Sequence, residues 1–348
     1  VKKQISIIIP MYNAEGTLDK CLVSLKKSIC GQEDIEIILV DDASTDLSVD
    51  IARKYGFIVI ANKVNTGPST CRNIGAGMAS GSILLFTDSD VVWPADGLKR
   101  IRNFFNEFQD ISAVMGLYGI RAGNGGMISQ FRNLKHHYDL ISSNEDTFVL
   151  MGSCCAIRRS AFFSVKGFDE NYKKALVEDV DLGIRLWKNG YKIKLLKDLQ
   201  VEHLKKYNLI SMIKSDIIFR TIPWVELLLR YRFFKNDVST KLSEIICLFS
   251  ILISLVSVLI ISSIQLQYLL VAVLTGILFS YFICTLSQIK FIVYTKQQYN
   301  LRLALVTVAL TPIRYFFYGV GIFLGVFSYY HRYNGLLRQC YTAGYREK

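Results

Sequence analysis

Histidine and cysteine are sparse and irregularly placed in this 348-residue chain: four histidines, eight cysteines and no CxxC pair. Cys21, Cys30, Cys71, Cys154, Cys155, Cys247, Cys284 and Cys340 lack the regular spacing of a disulfide framework or a structural zinc site, so reduced thiols without a chemical role are expected. No GxGxxG follows the first strand-like segment, which removes the dinucleotide-binding fingerprint. The opening VKKQISIIIP has neither the long apolar core nor the small-residue cleavage site of a secretory signal, so the N-terminal part is expected in the cytosol. Internal repeats and low-complexity tracts are missing as well.

Charge is missing where it matters most. Not one charged residue occurs from Ile245 to Ile289, and the stretch splits at SSIQLQ into two apolar runs, about 245–264 and 267–289, each about 20 residues, the length that crosses a bilayer core. A third apolar region, about 303–330, is interrupted by Pro312 and Arg314 and reads as a kinked span or an interfacial helix with a short span. A hydrophobic fraction of 51% agrees with a chain that is partly in lipid. Acidic residues are scarce in the second part: residues 205–348 hold 16 Lys/Arg against 5 Asp/Glu, whereas residues 1–204 hold 25 against 24. Lys205, Lys206, Lys214, Arg220, Arg230, Arg232, Lys235 and Lys241 precede the apolar hairpin and Lys290, Lys296 and Arg302 follow it, as expected when both flanks face the cytoplasm and anionic lipid. A neutral globular part with a basic collar argues for a membrane and against nucleic acid. Four divisions are therefore expected: a cytosolic domain over 1–204, basic amphipathic interface helices over 205–241, a membrane region over 242–330 and a basic tail over 331–348. Trp224, Tyr231, Phe233 and Phe234 would sit at headgroup depth.

The first hundred residues alternate short apolar runs with helix-spaced ones. ISIIIP, IEIILV, FIVIA and SILLFTD read as strands; GTLDKCLVSLKKSI, SVDIARKYG and STCRNIGAGMAS read as helices between them. Such a pattern predicts an α/β fold, an open and mostly parallel sheet with helices on both faces. The second half is more mixed, with helices predicted in DGLKRIRNFFNEF, ISQFRNLKHHYDLI and EDVDLGIRLWKNG, and strands in SAVMGLYG and YKIKLLKDLQV.

Carboxylates recur at the strand ends. ILVDDAS ends a strand in Asp41 and Asp42, and LLFTDSD ends one in Asp88 and Asp90. In an open parallel sheet the carboxyl ends of the strands form the ligand crevice, so both pairs point at one site, although either pair alone suits a helix cap. Two acids two positions apart can offer one carboxylate to a hard cation and the other to a hydroxyl or to cation-bound water. Mg²⁺ or Mn²⁺ bridging protein carboxylates to substrate phosphates fits such a pair. A third cluster, Glu178, Asp179 and Asp181, precedes a helix, and His203 follows a strand.

In order along the chain, SIIIPMYNAEGTL, ILVDDASTD, NTGPSTCRNIGAGMASG, ILLFTDSDV, MGSCCAIRRSAF, GFDENY, EDVDLGIRL and VEH resemble the glycosyltransferase family 2 enzymes of the GT-A fold, in their membrane-anchored form. The likeness covers about residues 4–204. It implies that Pro10, Tyr12, Asn13, Glu15, Asp41 and Asp42 surround the base and ribose of a UDP- or GDP-sugar, with Asn65, Gly67 and Arg72 near ribose and diphosphate. By the same resemblance Asp88 approaches the ribose or cation-bound water, Asp90 ligates Mg²⁺ or Mn²⁺, and His203 is a further cation or diphosphate ligand. Asp179 matches the family's catalytic base, Asp181 is a weaker candidate for it, and Glu178 is placed to orient the acceptor.

The function this implies is transfer of a single sugar, with inversion, to a membrane lipid or lipid-linked glycan in cell envelope glycan synthesis, by a multi-pass membrane enzyme with a cytoplasmic catalytic domain. An acid at Asp179 favours a hydroxyl acceptor over a polyprenyl phosphate, which is already anionic. The QxxRW signature of processive synthases is absent. A catalytically silent nucleotide-sugar-binding scaffold and a nucleotidyltransferase are the competing readings.

Overall fold

The computed structural model describes residues 4–29, 31, 34–123, 125–232, 241–264 and 268–344. Cys30, Phe233, Phe234, Lys235, Arg346 and Lys348 lie outside the described residues. The chain divides into two compact units, Val1–Lys206 and Tyr207–Lys348.

In the first unit the chain runs β1 (Ile5–Met11), α1 (Leu18–Ile29), β2 (Ile35–Asp41), α2 (Ser48–Lys54), β3 (Ile58–Ala61), α3 (Pro68–Met78), β4 (Ile83–Thr87), β5 (Val91–Val92), α4 (Gly97–Glu107), β6 (Ile111–Tyr118), α5 (Met127–Ile141), β7 (Asp146–Thr147), β8 (Cys154–Arg158), α6 (Arg159–Ser164), α7 (Glu178–Lys188) and β9 (Lys192–His203). β1, β2 and β4 are buried at nearly every residue, not at alternate ones, which is the mark of strands covered on both faces. Their runs of Ile, Leu and Val carry the core: Ile7, Ile8, Ile9, Leu39, Leu84 and Leu85 are almost wholly shielded.

Strand order is β3-β2-β1-β4-β8-β6-β9-β5, with β7 also on β9. β1, β2, β3 and β4 pair in parallel. The chain steps outward from β1 to β3 and then crosses back to place β4 on the other side of β1, so the strand order reverses there. The connections leaving β1 and β4 diverge and open a crevice at their carboxyl ends. β8 enters antiparallel between β4 and β6, and β6 pairs in parallel with β9. A mostly parallel sheet is as expected, and the reversal at β8 has a consequence for the site. Because β8 runs backwards, the residues just before it lie at the carboxyl ends of β4 and β6.

The second unit is helical. It contains α8 (Leu209–Lys214), opened by a reciprocal Asn208–Ser211 cap, a π-helical turn over Ser215–Thr221, α9 (Ile222–Tyr231), α10 (Leu242–Ile264), α11 (Leu269–Ser287), α12 (Ile289–Gln298) and α13 (Leu301–Gly344), which runs on through Pro312. Three stretches are long and apolar enough to cross a membrane: Leu242–Ile261, Leu269–Ser287 and Leu301–His331. The segment that sequence places at a membrane surface packs along α13. A Cβ added at Gly321 would lie 2.9 Å from Thr221 and one at Gly325 2.9 Å from Val225, so these small residues set the close approach. Polar ties run down the same seam: Arg314 Nε meets Asp216 Oδ2 at 3.2 Å and Ser328 donates to Glu226.

One contact fixes α7 in the first unit. A Cβ at Gly183 would stand 2.3 Å from the carbonyl oxygen of Phe148, so only glycine lets α7 approach the 148–152 backbone. Gly183→Ala is expected to overpack that contact by roughly 1–3 kcal/mol and lower the melting temperature by roughly 3–10 °C, read by thermal denaturation of the detergent-solubilised chain.

Candidate active site

The crevice is walled on one side by the loops after β1 and β2. Asn13 and Ala43 both hold left-handed backbone, at φ 48° and 63°, and the two loops are stitched together. Asn13 N–H donates to Ser44 Oγ, Thr45 N–H to Asn13 Oδ1, Ala14 N–H to Ser48 Oγ, Glu15 N–H to Asp46, and Leu47 N–H to Glu15. Asn13 and Glu15 are therefore committed to loop shape, while the Tyr12 ring beside them is 52% exposed and Pro10 half-buried. A flat, solvent-facing aromatic at a crevice rim suits stacking on a planar base.

Asp41 and Asp42 are both nearly shielded from solvent, at 2% and 4% exposure. Asp41 accepts from the Ser44 N–H. Asp42 receives the backbone N–H of Thr66 at 2.7 Å and of Gly67 at 2.8 Å, with Asn62 and the Thr66 hydroxyl as further donors. Burial opposes its ionisation, but those four donors outweigh it and hold the carboxyl below its ordinary range. Asp42 thus shapes the loop that carries Asn65, whose amide donates to the Asp42 carbonyl. Gly67 closes that loop at φ 92°, and a Cβ there would sit 2.5 Å from the carbonyl oxygen of Lys173. No other residue satisfies both the backbone angle and the close approach.

Arg72, on α3, joins the two halves of the crevice. Its guanidinium lies over the Phe168 ring and reaches Asp88 Oδ1 at 2.8 Å with one nitrogen and Glu178 Oε1 at 2.9 Å with the other. Burial alone would disfavour the charge, yet the two carboxylates hold the guanidinium more firmly protonated than usual. Glu178 is 3% exposed and its second oxygen accepts from the Leu176 N–H, so its carboxylate is fully occupied in holding Arg72 and the start of α7.

Asp88 and Asp90 face different partners. Asp88 turns to Arg72; Asp90 turns to His203, whose Nε2 lies 3.3 Å from Asp90 Oδ2. The short β5 ladder makes this pair, since Val91 is in register with His203 and the Leu204 N–H donates to the Asp90 carbonyl. Burial works against ionisation of Asp90, but the hydrogen bond and charge of His203, with Lys205 behind it, keep its carboxyl below the usual range. Asp88, Asp90 and His203 do not converge on one point, and among the described residues no three His, Cys, Asp or Glu side chains form a ready cage. The donor set nevertheless fits a cation that binds through one or two protein ligands and takes the rest from phosphate and water: carboxylate and imidazole suit Mn²⁺, carboxylate alone Mg²⁺.

Asp179 is the acid with capacity to spare. Its Oδ2 accepts from the Gly152 N–H at 2.7 Å and Oδ1 from the Val180 N–H at 2.8 Å, and no cation is paired with it directly. Desolvation first, then the negative charge of Glu178, push its pKa up to about 7, with the two N–H groups and Arg72 pulling the other way. Asp181, one step further along α7, is 1% exposed and bound to Arg185 Nε at 2.7 Å.

Sequence reading passed over Gly152, Ser153, Tyr118 and Phe168. Gly152 and Ser153 lie in the quoted MGSCC segment, but only the antiparallel entry into β8 shows why they matter. A Cβ on Gly152 would sit 3.2 Å from Arg72 and 3.4 Å from Asp179. Cys21, Cys71, Cys154, Cys155, Cys247 and Cys284 are free and buried.

A model of Glycosyl transferase family 2 matches residues 6–164, from β1 through α6. A poly(ribitol-phosphate) beta-glucosyltransferase of Bacillus spizizenii is 40% identical over 146 residues, covering 40% of this chain and 23% of that protein. The poly(ribitol-phosphate) beta-N-acetylglucosaminyltransferase TarS of Staphylococcus aureus is 29% identical over 205 residues, 56% of this chain and 34% of that protein. The chain therefore spans about a quarter to a third of the length of these curated relatives. A mannosyltransferase from Pyrobaculum calidifontis, solved in complex with GDP-Man and Mn²⁺, shares the fold with a TM-score of 0.54 at 14% identity, over 93% of this chain and 88% of that one. The match to glycosyl transferase family 2 is thus confined to residues 6–164, and the likeness to the solved mannosyltransferase shows that the GT-A fold is shared.

Proposed function

We propose that the chain is an inverting glycosyltransferase, anchored in a membrane by its apolar helices, that moves one sugar from a nucleotide sugar to a hydroxyl of a lipid or lipid-linked glycan, polyol-phosphate chains included. The observation that carries this is the Arg72 bridge. It holds Asp88, at the donor end of the crevice, and the start of α7, where Asp179 sits, in one ion-paired unit. The relatives' names supply the acceptor class; the three apolar helices and their basic flanks support the anchor, with the first unit on the cytoplasmic side.

Tyr12 stacks on the base, and the 62–67 loop shaped by Asp42 lines the ribose and diphosphate. Asp90 and His203 would hold a divalent cation, and Asp88, its orientation fixed by Arg72, would reach the ribose or water on that cation. When bound, the cation stabilises charge on the departing diphosphate. Asp179 takes the proton from the acceptor hydroxyl as that oxygen bonds to the anomeric carbon. The bond from that carbon to the diphosphate oxygen breaks, the configuration inverts, and the nucleoside diphosphate leaves with the electron pair. Glu178 contributes by holding Arg72 and α7, not by touching the acceptor.

Membranes containing the chain, given a panel of UDP- and GDP-sugars with Mg²⁺ or Mn²⁺, are expected to form a glycosylated lipid or lipid-linked glycan detectable by mass spectrometry. Asp179→Asn should lower kcat about 10²- to 10⁴-fold while leaving nucleotide binding intact. Equal turnover in that variant would remove Asp179 as base.

The pH profile tests the acceptor class. A base must be ionised to accept a proton, and Asp179 is protonated below about 7. kcat/KM should therefore rise about tenfold per pH unit up to about 7 and level off above it, the limb vanishing in Asp179→Asn. A flat profile would point instead to an acceptor that is already anionic, such as a polyprenyl phosphate.

Chelation with EDTA should abolish turnover, and Mn²⁺ should restore it. Asp90→Asn and His203→Ala are each expected to raise the Mn²⁺ concentration for half-activation about tenfold or more, since even outer-shell partners of a metal cost this much. Unchanged cation dependence in both variants would move the cation elsewhere.

A further inference from the structure

Tyr118 ends β6 beside the crevice and is assigned no role by the reaction just described, yet it touches both of its halves. Its ring lies flat on the His203 imidazole, with centroids 4.4 Å apart and planes within 1° of parallel. Its hydroxyl makes a 2.8 Å hydrogen bond with Ser153 Oγ. Ser153 follows Gly152, whose N–H is held by Asp179, and the Ser153 carbonyl accepts the Thr87 hydroxyl just before Asp88. The Tyr118 carbonyl is bound to His137 Nδ1 on α5, so the backbone beneath the ring is fixed as well. An irregularity in the β6–β9 ladder sets the geometry. The pairing shifts between Met115 and Leu117, after which Tyr118 aligns with Val201, two residues before His203.

We infer that Tyr118 is a positioning residue that couples the cation-binding imidazole to the loop holding the catalytic base. Stacking fixes the plane of the His203 ring, and with it the direction in which Nε2 faces Asp90. The hydroxyl fixes Ser153, and through it the Gly152 N–H on Asp179. One side chain thus acts on two ligands through two different atoms, and its two functions are separable by substitution. Tyr118→Phe keeps the stack and removes the hydroxyl; Tyr118→Leu removes both. The inference rests on the cation and base assignments proposed above, so its test must be able to fail without them.

The full-length chain in detergent would be titrated with Mn²⁺ in the presence of UDP or GDP, free Mn²⁺ being followed by electron paramagnetic resonance, alongside steady-state turnover and melting temperature. Tyr118→Leu is expected to weaken Mn²⁺ binding about tenfold, the cost typical of losing a residue that orients a metal ligand, whereas Tyr118→Phe binds within about twofold of the parent chain. Tyr118→Phe and Ser153→Ala should each lower kcat about tenfold with donor KM unchanged, and the double variant should be no slower than either alone, because both remove the same hydrogen bond. Parental Mn²⁺ affinity in a folded Tyr118→Leu, or additive losses in the double variant, would overturn the coupling. If Tyr118→Leu does not fold, Tyr118→Phe and Ser153→Ala still decide the hydroxyl half. A parent chain that binds no Mn²⁺ with either nucleotide would instead overturn the cation site itself, a separate failure.

Discussion

Everything at the crevice depends on one guanidinium placed between two carboxylates. Without Arg72, Asp88 and Glu178 would present two negative charges to the same buried space, and nothing would tie the end of β4 to the start of α7. The two arms are unequal. Glu178 is almost wholly shielded, so breaking that arm leaves an unpaired charge out of water, a loss of about 3–5 kcal/mol. Asp88 is 34% exposed, so its arm is screened and worth less, and its value is direction more than stability. A pair that is strong on the α7 side and soft on the donor side keeps the helix fixed while leaving Asp88 free to adjust to a ligand.

The elements that bring these groups together were written plainly in the first hundred residues. ISIIIP, IEIILV and SILLF are apolar at consecutive positions, a pattern that only a strand covered on both faces explains, and they became β1, β2 and β4. β5, β7 and β8 were not legible as strands. Two of them are two residues long, too short for any period to register, and Cys154–Arg158 contains no alternation to mark it. Their pairing is decided by partners 40 to 112 positions away, as when Val91 meets His203. The packing of the segment over 209–231 was not legible either. Its mixture of aromatic and basic residues suits a membrane surface, but the glycines that receive it, Gly321 and Gly325, lie on α13 about a hundred residues later.

Site residues divide along the same line. Asp88, Asp90, Asp179 and His203 stood out as candidates because acids at strand ends and helix starts, and a sparse imidazole after a strand, carry a chemical meaning on their own. What sequence does not state is which acid is already spent. Asp42 and Glu178 look equivalent to Asp88 and Asp179 as neighbours in DD and ED pairs, yet Asp42 is consumed by four donors of the 62–67 loop and Glu178 by Arg72 and Leu176. Tyr118 and Gly152 escape sequence reading for the opposite reason. Neither residue type implies chemistry, and their importance lies wholly in what the fold sets beside them.

Partner supply also sets Asp179 apart from the other acids of the crevice. A carboxylate given a guanidinium or several N–H donors becomes a weaker base, and one given none in a buried place stays protonated at neutral pH. Asp90 lies on the first side, drawn down by His203 and Lys205, which suits a ligand for a cation. Asp179 lies between the extremes: desolvation and the Glu178 charge raise it, while two backbone N–H groups and the more distant Arg72 restrain it, leaving it near 7. The Gly152 N–H belongs to a loop that the Thr87 and Tyr118 hydroxyls also hold, at Ser153. A hydroxyl acceptor needs a base poised in this way. An acceptor whose attacking oxygen is already anionic would have no proton for such a base to take.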